Sequence, residues 1–294
     1  MVAGRDFLGK YQLTRLIRAG HTCQVWESRD LDHKRVCLKV LQPEMRSNKE
    51  EIRYMRHEYS VGHPLQHPNV IEIYSLDTDR DGIPFLVMEF HTGKNVKLLL
   101  REGHERIGYL VPTLIRTSAK GLAYFHDQGW VHRDVKPDNF LVGDEGDAKL
   151  IDFALAQKQS GGVTRLLARK GKVQGTRSYM SPEQIKGLPP DRRADIYSFG
   201  CMMYEILAGK TPFTASSPSE LLTKHLRQAA PPVAAANKNV TSECNDLILK
   251  MMAKDAKERP QSMHDVIRAL DAMRIFRSIP KPPDEADAPS IRRR

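Results

Sequence analysis

The sequence predicts an α+β chain of two unequal parts, a small strand-rich one followed by a larger, mainly helical one. Three observations predict it. Residues 11 to about 40 break into short runs that alternate apolar and polar side chains, the mark of half-buried strands. From Val96 onward, apolar residues recur at helical spacing. No internal repeat and no long flexible linker separates the two parts, and a cleft between two such lobes is a common place for a ligand.

Taken in order, YQLTRLIRAG from Tyr11, QVWESRD from Gln24 and RVCLKVL from Arg35 read as strands, with Asp30–Lys34 as a turn. Residues 48–61 read as a charged helix ending at Gly62, because Pro64 disfavours a helical conformation at His63. Strands follow around Val70–Leu76 and Pro84–Phe90, with Thr78–Gly82 as the turn between them. Leu110, Leu114, Ile115, Leu122 and Phe125 keep the spacing of one helix face. Short strand-like runs lie around Val131 and Leu150. Residues 157–180, rich in Lys, Arg, Gly, Ser and Thr, read as a mobile loop, and helices dominate from residue 192. The last stretch, 277–294, is Pro-rich and basic and reads as a disordered tail.

A chain of 294 residues can bury a full core without staples. Cys23, Cys37, Cys201 and Cys244 are scattered with no CxxC pair, so neither a zinc site nor a disulfide framework is expected, and a reducing compartment fits. The N-terminus lacks the apolar core of a signal peptide. The best apolar run, Ile196–Ala208, is too short for a membrane span and contains Glu205. A soluble, cytoplasmic protein is the expectation. The net charge of +10 permits an anionic partner, but aromatics are only 7% and no basic run is interleaved with them. The excess reads as a solvated surface, and nucleic acid is not a favoured partner.

Two motifs fail on inspection. Gly209-Lys210-Thr211 ends like a phosphate-binding loop, but Tyr204 occupies the required upstream glycine position and the run follows a helical pattern. His57, His63 and His67 are closely spaced, yet Pro64 and Pro68 break the helix that would align them on a metal.

The informative stretch is Val131-His132-Arg133-Asp134-Val135-Lys136-Pro137-Asp138-Asn139. Thirteen residues past Asn139 comes Asp152-Phe153-Ala154, and upstream lies Val36-Cys37-Leu38-Lys39. Together these resemble the V-A-I-K strand, the H-R-D catalytic loop and the D-F-G motif of the eukaryotic-type (Hanks-type) Ser/Thr protein kinases. The resemblance covers about residues 11–276. It implies a bilobal protein-kinase-like fold, with a small β-rich N-lobe plus one helix over 11–90 and a larger, mainly helical C-lobe over 91–276.

The resemblance also implies chemistry. Phosphoryl transfer is mostly positioning plus charge neutralisation. Asp152 would chelate the Mg²⁺ that accompanies ATP, with Mn²⁺ as an alternative, and Asn139 the second ion. Asp134 would orient the substrate hydroxyl or take its proton, and Lys136 would neutralise the moving phosphoryl group. Lys39 would contact the phosphates and pair with a helix carboxylate, Glu58 first and Glu51 as the alternative. Met88-Glu89-Phe90 matches the gatekeeper and hinge, where backbone groups of Glu89 and His91 would bind adenine. Ile17, Val25, Cys37 and Leu141 would sandwich the base. Glu183 of Ser181-Pro182-Glu183 would pair with Arg259, and Asp195 would brace the catalytic loop. Thr176 would touch Asp134 and Lys136. Arg133 implies control by a loop phosphate, at Thr164 or Ser160.

Three departures from the family pattern bear on activity. Of the three nucleotide-loop glycines only Gly20 stands, with Arg18 and Cys23 at the other two positions, which should loosen ATP binding. Ala154 replaces the last glycine of D-F-G and is costly only if that residue is left-handed. Gly62 sits where an apolar side chain would stack on Phe153, so docking of the helix bearing Glu58 should weaken. No catalytic group is lost. The expectation is a Ser/Thr kinase acting on protein hydroxyls, its own included, with a nucleotide-binding pseudokinase as the alternative. A homodimer is left open.

Overall fold

Alternation along the first strands decides which side of a sheet meets the rest of the protein. The computed structural model describes residues 7–103, 107–159, 175–189 and 191–282. Strands β1 (Phe7–Leu8), β2 (Tyr11–Ala19), β3 (Cys23–Arg29), β4 (Arg35–Leu41), β5 (Ile73–Thr78) and β6 (Pro84–Glu89) form one antiparallel sheet in the order β1-β2-β3-β4-β6-β5. The register sets Val25 opposite Lys39, Lys39 opposite Leu86 and Cys37 opposite Met88. With a side-chain period of two, these residues share one face. The other face carries Val36, Leu38, Val40, Phe85 and Val87, which close a small core with Leu8 and Tyr11.

Helix α1 (Lys49–Gly62) lies on the first face. Asn48 caps it, accepting from the Glu50 and Glu51 N–H groups. It buries Met55, Glu58, Val61 and Gly62 as a single stripe. The helix ends where the sequence places it, but for a different reason. His63 remains helical, at φ −58° and ψ −38°. Pro64 stops the ladder because it has no N–H to donate, and Leu65 turns the chain by donating to the Gly62 carbonyl.

Helices dominate the rest of the described residues: α2 (Val96–Gly103), α3 (Val111–Asp127), α4 (Pro182–Ile185), α5 (Arg192–Ala208), α6 (Pro218–Arg227), α7 (Ser242–Met251) and α8 (Met263–Asp271). Every residue of α5 from Ala194 to Leu207 is buried, which makes it the axis of the C-lobe. Short strands β7 (Lys94–Asn95), β9 (Phe140–Val142) and β10 (Ala148–Leu150) pair beneath the cleft, and β8 (Trp130–Val131) pairs with β11 (Gln157–Lys158). Gln157 and Lys158 are therefore strand, not the start of a mobile loop. The strand expected from Val70 begins at Ile73; Val70 makes one isolated bridge to Leu150. Arg277 and Ser278, grouped with the tail by composition, are hydrogen-bonded to Asn239. Ser160, Thr164 and the tail from 283 lie outside the described residues.

Gly62 does not leave the gap that the sequence suggests. A Cβ there would collide with Ile73 Cδ1 and sit 2.7 Å from Phe153 Cδ2. The Phe153 ring, fully buried and stacked on Phe125, already fills the space against the helix backbone. The helix docks by close approach where a larger side chain would intrude. Gly62→Leu is accordingly expected to destabilise the fold by about 1–3 kcal/mol through overpacking, read as a lower thermal midpoint. A raised midpoint would mean the space is open.

Candidate active site

The two lobes place three ionisable side chains at one point in the cleft. Lys39 on β4 reaches Glu58 of α1 at 2.7 Å and Asp152, beyond β10, at 3.5 Å. Glu58 rather than Glu51 is the partner: Glu51 lies two turns nearer the start of the helix, and Glu58 is the carboxylate buried beside Lys39. Burial alone would lower Lys39, but the Asp152 and Glu58 carboxylates outweigh it and hold the ammonium charged. Burial would raise Asp152, and Lys39, His132 and Lys136 pull it below the usual carboxylate range. Glu58, 2% exposed, is pushed up by burial against the opposing pull of Lys39.

Asp152 itself is left-handed, at φ +67°, whereas Ala154 is not among the positive-φ residues. The alanine thus meets no Cβ penalty, and the strain falls on an aspartate, a residue type that tolerates this region. The Ala154 N–H points back to Asp152 Oδ1 at 3.5 Å.

Asp134 sits in a web of donors. Its Oδ1 accepts from the Thr176 N–H at 3.0 Å and the Thr176 hydroxyl at 3.1 Å. Its Oδ2 lies 2.6 Å from Lys136 Nζ and 3.2 Å from Asn139 Nδ2. Lys136 also donates to Thr176 Oγ1 at 2.7 Å. Asn139 spends its amide N–H groups on Asp134, so Oδ1 is the end it presents to a cation. With the Asp152 carboxylate, 40% exposed, this gives an oxygen-only donor pair. Such a pair suits a hard divalent ion that takes its remaining ligands from phosphates and water.

Below this floor, Asp195 accepts the backbone N–H groups of His132 and Arg133 at 2.7 and 2.8 Å. Arg133 is left-handed, at φ +69°, and its buried Nε has no partner among the described residues. Gln184 donates to the Arg133 carbonyl at 2.8 Å and closes a capping box with Ser181. Arg259, fully buried, grips Glu183 with two bonds of 2.7 and 3.0 Å.

On the N-lobe side of the cleft, Val25, Cys37 and Met88 lie on the face that carries Lys39. Leu141, on β9, stands opposite Asn95 of β7, and Ile17 is 46% exposed at the end of β2. Burial pushes the Cys37 thiol up to about 12 and raises that of Cys23, so both stay protonated. His91 Nδ1 accepts the Gly93 N–H just past β6. The three closely spaced histidines go separate ways: His57 bonds the Ala156 carbonyl, His63 the Ile73 carbonyl, and His67 stacks on Tyr124.

Among the ion pairs that escaped the sequence reading, two bear on the cleft and the C-lobe axis. Lys149 Nζ bonds both oxygens of Glu89, at 2.9 and 3.0 Å. Lys97 of α2 reaches Glu205, buried in α5, at 2.6 Å, and the other Glu205 oxygen takes the Tyr179 hydroxyl at 2.5 Å. The partners are far apart in sequence, and no local spacing could have signalled them.

The sequence matches the protein kinase domain family over residues 11–269. A probable serine/threonine-protein kinase of Clostridium perfringens is 34% identical over 92% of this chain and 39% of its own length. The serine/threonine-protein kinase PrkC of Bacillus subtilis is 30% identical over 94% of this chain and 43% of its own. PknB of Mycobacterium tuberculosis, also a serine/threonine-protein kinase, is 30% identical over 92% and 44%. The chain thus spans about two fifths of the length of these curated relatives. No helix among the described residues is long and apolar enough to cross a membrane.

Proposed function

This chain belongs to the protein kinase domain family, and on that premise we propose that it transfers the γ-phosphate of ATP to Ser/Thr hydroxyls of proteins, itself included. One observation carries the reading. The Lys39–Glu58–Asp152 cluster and the Asp134–Lys136–Thr176 cluster are both assembled and face one cleft. The kinase domain is taken as 11–276, with lobes 11–90 and 91–276, and the tail as 277–294.

Lys39 holds the phosphates, and Glu58 holds Lys39. Asp134, fixed by Thr176, orients the acceptor hydroxyl and takes its proton. Lys136 sits between Asp134 and Thr176, where negative charge develops during transfer. Adenine lies against Ile17, Val25, Cys37, Met88 and Leu141, and bonds to the backbone of Glu89 and His91; Gly20 approaches the phosphates. Asp152 and Asn139 would hold Mg²⁺, or Mn²⁺ in its place, which when bound neutralises phosphate charge. ATP as substrate, and four cysteines without a disulfide, support a cytoplasmic location.

The test is γ-labelled ATP with Mg²⁺ and a basic acceptor protein. Label in acceptor and kinase is the expected result. No label, with ATP still raising the thermal midpoint, would replace this reading with a nucleotide-binding pseudokinase. Sedimentation of the same preparation decides the dimer: a single species at 33.4 kDa removes it.

A further inference from the structure

We propose that Gln42 and Gln24 form an amide chain that fixes the turn between β2 and β3 and aims its backbone donors at the phosphates of ATP. The identity of the ligand rests on the kinase reading above; the chain itself does not. Trp26 Nε1 donates to Gln24 Oε1 at 3.0 Å, Gln24 Nε2 to Gln42 Oε1 at 2.9 Å, and Gln42 Nε2 to the Gly20 carbonyl at 2.8 Å. The Gln42 N–H then donates to the Thr22 carbonyl at 2.8 Å, and the Gly20 N–H to the Cys23 carbonyl at 2.8 Å. Gln24 is 4% exposed, so its amide depends on these partners for its hydrogen bonds.

The direction of the chain follows from the strand period. Gln24 stands opposite Val40 and shares its face with Trp26 and Leu38, the face turned away from Lys39. Gln42 follows Leu41, which is buried on the α1 side, and so returns to the face of Gln24. Its side chain draws the Gly20 carbonyl toward that outer face. A trans peptide is planar with its N–H opposed to its C=O. The His21 N–H is therefore turned to the cleft face, which carries Val25 and Lys39.

This accounts for the missing glycines. A glycine-rich turn approaches phosphate because it is permissive, and it must be ordered on binding. With Arg18 and Cys23 at two of the three positions, only Gly20 keeps that permissiveness. A turn already pinned in place presents its donors without reorganisation. Gln42 and Gln24 are positioning residues; neither side chain touches the nucleotide.

Gln42→Met keeps the length of the side chain and removes its donor and acceptor. Hydrogen exchange at residues 20–23 is expected to quicken about tenfold. ATP binding by calorimetry is expected to weaken about five- to tenfold, with adenosine binding and kcat within about twofold. Gln24→Met, one bond further out and on a separate residue, should give the same pattern at smaller amplitude, which guards against a folding defect at Gln42. Unchanged exchange in both variants overturns the clamp. Faster exchange with unchanged ATP affinity, or equal weakening of adenosine, overturns its aim at phosphate. If the wild type binds no ATP, the kinase reading falls and the aim at phosphate with it, while exchange still decides the clamp.

Discussion

Asp134→Asn is expected to abolish phosphate transfer, by about a thousandfold or more, while ATP affinity stays within about twofold. The loss has two sources. A neutral amide cannot take the acceptor proton. It also reverses one end of the hydrogen-bond web: with Oδ1 still accepting from Thr176, the new Nδ2 would face Lys136 at 2.6 Å and Asn139 Nδ2 at 3.2 Å, donor against donor. The nucleotide contacts assigned to Lys39, the hinge and Asp152 are untouched, so ATP should still raise the thermal midpoint. The measurement is label transfer from γ-labelled ATP beside an ATP thermal shift on the same protein. Transfer near the wild-type rate would remove Asp134 from the catalytic role.

Much of this site could be read from the chain because its chemistry sits in short contiguous motifs. His132 to Asn139 supplies the acid, the lysine and the amide within one turn of backbone, and Asp152 follows after a β9–β10 hairpin. The β2–β4 strands declared themselves by alternation, and α1 by its charged run and the Pro64 that follows it. What stayed hidden depends on packing. β7 and β11 are two residues each, too short for any periodicity, and exist only because a partner strand lies alongside. Sequence alone could not choose between Glu58 and Glu51, because the two are chemically alike and lie two helical turns apart on nearly the same face, so only their position along the helix relative to Lys39 tells them apart.

The departures from the family pattern show the same limit. Gly62 reads as a missing contact until Phe153 and Ile73 are seen filling the place a side chain would take. Ala154 reads as strain until the left-handed residue proves to be Asp152. The Gln24–Gln42 chain joins residues on neighbouring strands whose separation carries no signal, and Lys97 meets Glu205 only because α5 runs through the core beside α2. In each case the side chain is legible and its neighbour is not.

Lys39→Met should remove most transfer, about a hundred- to a thousandfold, and it should change the pH dependence of stability as well. The methionine keeps the volume of the stem but leaves Glu58, 2% exposed, without the cation at 2.7 Å. Burial already pushes Glu58 up, and Lys39 is the principal group opposing it. Without Lys39 the carboxyl rises further and takes a proton in the folded state. A carboxyl raised on folding stabilises fully below its unfolded value, and that stability is lost as pH rises through its folded value. The variant is therefore expected to be closest to wild type near pH 4 and to fall behind toward pH 7, where the uncompensated carboxylate costs about 3–5 kcal/mol. Asp152 moves the other way in the wild type. Held low chiefly by Lys39, it contributes stability above its unfolded value that is lost in acid, and the variant forfeits that contribution too. Lys39→Arg separates the two roles. It restores the charge beside Glu58, so the neutral-pH stability should largely return. The planar guanidinium cannot reproduce the point contact of an ammonium, so the rate should not. Thermal midpoints of the three proteins from pH 4 to 8, beside single-turnover rates, check both halves. A methionine variant whose stability tracks wild type at every pH would mean that Glu58 is not held by Lys39.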